Sequence, residues 1–85
     1  MEIGEFQDLI QKRYGARDQE RGLPKTFMWL IEEVGELASA LKEEEASKIE
    51  EELADVIAWT FSIANLLGLD MEELIEKKYG DSNEG

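Results

Sequence analysis

The chain has no cysteine and no histidine. The first absence excludes disulfides and thiolate metal sites. The second removes the Glu-x-x-His motifs from which carboxylate-bridged di-iron bundles are built. Cationic residues are scarce as well: nine Lys and Arg stand against 21 Asp and Glu, a net charge of −12. That balance argues against a broad nucleic-acid surface and against binding to an anionic membrane, both of which need basic patches. Long hydrophobic runs are also missing. The most apolar stretch, Leu53 to Leu69, carries Asp55 and Asn65 and reads as a buried core helix rather than a membrane span. Met1-Glu2-Ile3-Gly4-Glu5 has neither the basic nor the apolar region of a signal peptide, so a cytoplasmic location is expected. A single proline, with 42% hydrophobic and 35% charged residues, describes a compact helical protein, neither disordered nor collagen-like.

Eighty-five residues allow one domain, expected over residues 1–80, with 81–85 as a disordered tail. So short a chain buries only about 60% of its unfolded surface. The expected fold is all-α. Ile3, Phe6, Leu9 or Ile10 and Tyr14 predict a first helix over about 2–14, with Gly15 as its stop. The charged run from Ala16 to Gly22 reads equally as helix extension or loop. Pro24 suits the first turn of a second helix reaching about Glu44. Ser47-Lys48-Ile49-Glu50 fits a capping box opening a third helix, about 48–67. Asp70 is the expected cap of a short fourth helix ending at Tyr79.

Acidic residues interrupt the two long apolar helices at regular places. At 100° per residue, Glu33 and Glu36 lie within about 60° of one another, and so do Glu52 and Asp55. On the second helix this acidic face, shared with Trp29 and Ala40, is distinct from an apolar stripe of Phe27, Leu30, Ile31, Val34, Leu37, Ala38 and Leu41. A connection of a few residues forces helices two and three into an antiparallel hairpin. The pairs Glu36–Glu52, Glu33–Asp55 and Trp29–Trp59 share one midpoint, residue 44, and a turn centred there makes all three level. Four carboxylates then form the floor of one site, with two indoles a turn away. Unpaired anions among apolar side chains cost several kcal/mol to desolvate, so a cation is expected. Oxygen ligands alone suit Mg²⁺, with Mn²⁺ the alternative. An ion held this way completes its shell with substrate phosphate and activates a bound water, which is the chemistry of phosphoanhydride hydrolysis. Trp29 and Trp59 are either base platform or plain core.

Glu32, Glu33 and Glu36 followed by Glu52 and Asp55, set in Val34-Gly35-Glu36-Leu37-Ala38 and Asp55-Val56-Ile57, form a pattern that resembles the MazG-type nucleotide pyrophosphohydrolases. The resemblance spans roughly residues 5–79. It implies hydrolysis of nucleoside triphosphates to monophosphate and pyrophosphate with Mg²⁺. It also implies metal ligation by Glu33, Glu36, Glu52 and Asp55, with Glu32 as a further ligand, water-orienting group or base. Family members carry Lys and Asn after the last helix. Lys78 is the matching Lys, whereas Asp81-Ser82-Asn83 departs from that pattern. Arg21 and Lys78 are the candidate phosphate contacts.

The functional expectation is therefore a Mg²⁺-dependent nucleoside triphosphate pyrophosphohydrolase that clears unwanted nucleotides. Phosphoribosyl-ATP pyrophosphohydrolase and a non-catalytic helical interaction module are the alternatives. A hairpin with two working faces and an all-round apolar third helix cannot be covered by two short helices of its own chain. A homo-oligomer, a dimer at least, is expected, and the resemblance implies a dimer or tetramer in which flanked hairpins assemble into a four-helix bundle.

Overall fold

A computed structural model describes residues 1–80. The tail expected to be disordered, with Asp81-Ser82-Asn83, lies outside the described residues. Four helices follow one another: α1 (Ile3–Arg21), α2 (Leu23–Glu43), α3 (Ala46–Leu67) and α4 (Met71–Tyr79). No strand occurs among the described residues, and no single helix there is long and apolar enough to cross a membrane.

α2 and α3 form an antiparallel hairpin, and α1 lies across both, chiefly on α3, with α4 folded back on α1. α1 does not stop at Gly15. It continues through a buried Gly15 to Arg21, and the break falls at Gly22, whose φ of 88° is open to glycine but strained for other residues. Glycine inside a helix costs only about 1 kcal/mol, and continuation buries Asp18 and carries Arg21 to Thr26. The Gly22 carbonyl accepts hydrogen bonds from both the backbone N–H and the hydroxyl of Thr26, so α2 starts in a fixed direction with Pro24 in its first turn.

The turn between α2 and α3 is tighter than a capping box at Ser47 requires. Glu44 takes a left-handed conformation, φ 56°, and Glu45 precedes Ala46, the first residue of α3. Glu45 provides no side-chain cap, and Ser47 falls inside the first turn. The reversal needs just two residues, which leaves no room for the longer entry. α3 ends at Gly68, again left-handed, and Asp70 caps α4 by accepting from the Glu73 N–H at 3.0 Å.

Ile10, Ala40, Phe61 and Ala64 are the buried apolar residues, and Phe6 meets Phe61 edge-on with ring centroids 5.0 Å apart. Gln7 ties three elements together. Its amide nitrogen donates to Asn65 Oδ1 and to the Leu69 carbonyl, and its oxygen accepts from the Met71 N–H, all at 2.8 Å. This small core leaves a large apolar area uncovered. Phe27, Ile31, Val34 and Leu41 on α2, and Leu53 and Ile57 on α3, are each between 42% and 54% exposed. At 100° per residue both rows lie roughly a quarter turn from the Glu33–Glu52 contact, in the same sense on antiparallel rods. They therefore share one side of the hairpin, opposite the indoles.

Candidate metal and nucleotide site

The acidic residues meet between α2 and α3. Glu33, Glu36 and Glu52 each offer a carboxylate oxygen, and these oxygens all lie within 4.8 Å of one another. Glu36 is exposed, Glu33 half-buried and Glu52 only 5% exposed. One oxygen of Glu52, Oε1, is buried with no hydrogen-bond partner among the described residues. A buried unpaired acceptor is costly, and an oxygen-seeking cation is the species that removes the cost. Opposite ligands of an octahedral Mg²⁺, bound at about 2.1 Å, stand roughly 4.2 Å apart. Adjacent ligands stand only about 3 Å apart, so the three oxygens would draw together on binding; as an all-oxygen anionic set around an unpartnered acceptor, the residues present fit the ion.

Glu33 is held partly out of water among like charges. Burial first, then the charges of Glu52, Glu36 and Asp55 and a hydrogen bond with Glu52, push its carboxyl up to about 7 from an ordinary 4.5. Because the folded value is the higher one, this group favours folding below about pH 4.5, and the contribution is lost as pH rises through 7. Without metal, Glu33→Gln should accordingly gain melting temperature relative to wild type between pH 5 and pH 8. A difference that does not change with pH in thermal melts would contradict the assignment.

Asp55 stands outside the triad of oxygens. It contributes to the upward push on Glu33 and lines a neighbouring cavity of about 220 Å³ together with Tyr14, Asp18, Arg21, Trp29 and Trp59. The indoles of Trp29 and Trp59 are level across the hairpin, with centroids 5.6 Å apart and planes tilted by 52°. They touch, so no ring fits between them, and a base would stack on an outer face. Arg21 occupies part of that ground: its guanidinium carbon lies 5.1 Å from the Trp29 ring centroid and 5.0 Å from that of Trp59. Its Nη1 donates to Asp18 Oδ1 at 2.8 Å and to Thr26 Oγ1 at 3.2 Å.

Glu32 is exposed and outside the cluster. Lys78, on α4, sets its ammonium over the Tyr79 ring and lines neither the indole cavity nor a second hollow of about 180 Å³ beside Glu36 and Glu52. Lys48 does line that second hollow. A larger hollow of about 850 Å³ along α4 shares no residue with either. Asp18 escaped the sequence reading because the run after Gly15 was undecided between helix and loop. Tyr14, Asp18 and Arg21 recur at spacings of four and three, the signal that would have put them on one helical face.

A family model described as the MazG nucleotide pyrophosphohydrolase domain matches residues 21–80. That segment contains every acid of the cluster together with both indoles. No curated protein matches the chain.

Proposed function

The chain belongs to the MazG nucleotide pyrophosphohydrolase domain family, and from that premise we infer that it is a Mg²⁺-dependent nucleoside triphosphate pyrophosphohydrolase that removes unwanted nucleotides. The observation that carries this reading is the convergence of Glu33, Glu36 and Glu52 around a buried, unpartnered Glu52 oxygen. Asp55, outside the triad and one turn further along α3, would join the set on binding. These four carboxylates would hold the ion, which supplies charge neutralisation at the phosphates and a lowered pKa for an attacking water.

The chain's own groups divide the remaining work. Water adds to the α-phosphorus, the bond to the α,β-bridging oxygen breaks, and pyrophosphate leaves with the bond electrons. Glu32, exposed beside Glu33, is the carboxylate free to orient that water and accept its proton. The outer faces of Trp29 and Trp59 stack the base, with about 1–3 kcal/mol at stake per stacked base. Arg21 braces both indoles and supplies a positive charge in the wall of the base cavity. Lys78, which lines neither hollow beside the acids in its own chain, would reach phosphate from a neighbouring subunit.

The test is pyrophosphate release from a panel of nucleoside triphosphates and phosphoribosyl-ATP, with Mg²⁺, with Mn²⁺ and with chelator. Release with metal and none with chelator is the expected result, and the substrate panel separates the two enzymatic readings. If no triphosphate yields pyrophosphate and neither metal nor nucleotide raises the melting temperature, the non-catalytic interaction module is the correct reading. A ligand at 100 times its Kd should stabilise by about 2.7 kcal/mol.

A further inference from the structure

Asp18 has an unusual environment for a carboxylate. It is 2% exposed, at the start of the last turn of α1, and lines the indole cavity. Oδ1 accepts from Arg21, whereas Oδ2 is buried with no hydrogen-bond partner among the described residues. Unpaired buried acceptors are rare and costly, and the cavity beside this one is sized for a small planar ring. Arg21 holds the carboxylate in place through a charge-assisted bond that uses Nη1 alone. Its other N–H groups have no acceptor among the described residues. The cavity wall thus contains a buried, unpartnered acceptor beside uncommitted donors and two aromatic rings.

We propose that Asp18 is a specificity-determining residue whose Oδ2 accepts a hydrogen bond from the exocyclic amino group of the base, selecting cytosine over uracil and adenine over hypoxanthine nucleotides. In cytosine and adenine the amino group adjoins an unprotonated ring nitrogen, which suits an Arg21 N–H. In uracil and hypoxanthine a carbonyl oxygen stands where the amino group would be, and it would face the carboxylate. Sites built to pair a polar group discriminate strongly against analogues that lack it. This inference rests on the nucleotide reading above, yet Asp18 precedes the segment that matches the family.

Nucleosides test it apart from the acid cluster, because they carry no phosphate. The two tryptophans of the chain are both in the cavity wall, so intrinsic fluorescence reports binding there. Cytidine and adenosine should quench wild type at concentrations at least ~10-fold lower than uridine and inosine. In Asp18→Asn, Arg21 would retain the amide oxygen and turn the amide N–H₂ into the cavity, so the preference should vanish or reverse. Equal binding of cytidine and uridine by wild type would overturn the proposal, as would the absence of quenching by any nucleoside. So would an Asp18→Asn protein that loses all four ligands equally, since that pattern marks a structural role. Amino-selective binding without pyrophosphate release from any triphosphate would sink the proposed function and leave this inference standing. Pyrophosphate release with no base preference would do the reverse.

Discussion

Glu52→Gln should lose pyrophosphate release by at least ~10³-fold, about 4 kcal/mol of transition-state stabilisation, while the metal-free protein becomes harder to melt. The two effects share one cause. Glu52 is the most buried acid of the cluster and the largest charge contribution to the raised pKa of Glu33. An amide of the same shape removes one charge that the ion needs and one that Glu33 and Glu36 repel. Activity therefore falls as stability rises, because the charge removed is one that its neighbours repel. A variant that was inactive because it had unfolded would show the opposite sign in a melting experiment. The melting-temperature increase that Mg²⁺ gives wild type should also shrink in Glu52→Gln. Wild-type rates in the variant would remove Glu52 from the site.

The second large effect concerns assembly. Replacing Ile31 and Ile57 together with Glu should convert an oligomer into a monomer of 9.7 kDa by light scattering. Wild type is expected at twice that mass or more. Both residues are about half exposed in the single chain and belong to the apolar side of the hairpin. A second copy laying the same side against it would make a four-helix bundle with a self-complementary interface. Burying a side chain of this size contributes about 1.5–3 kcal/mol, and each substitution occurs twice in a dimer. The double variant should also melt well below wild type, because buried apolar side chains within one chain are few: Ile10, Ala40, Phe61 and Ala64. A wild-type monomer at micromolar concentration would refute the assembly.

The sequence revealed the hairpin and the approach of its acids because both depend on periodicity. Apolar and acidic residues repeat at helical spacing, and a midpoint near residue 44 brings Trp29 level with Trp59, as their 5.6 Å separation shows. What it did not reveal depends on side-chain detail across non-local contacts. Glycine is a weak stop, and only the packing of α1 decided that Gly15 is passed and Gly22 is the break. The Arg21 position between two indoles required Thr26 and Asp18 to hold it from two different helices. Asp55 drew away from the oxygen triad and toward the indole cavity, a distinction of about one helical turn that no spacing rule resolves. The Ser47 cap failed because local preference met a reversal already complete by Glu45.

That reversal, Glu44 and Glu45 alone between two long rods, bears on how such a protein can diverge. One residue added there would swing every side chain of the second rod by about 100° relative to the first and scatter the acids. Drift across related genes should therefore proceed at this corner by replacement rather than by gain or loss of codons.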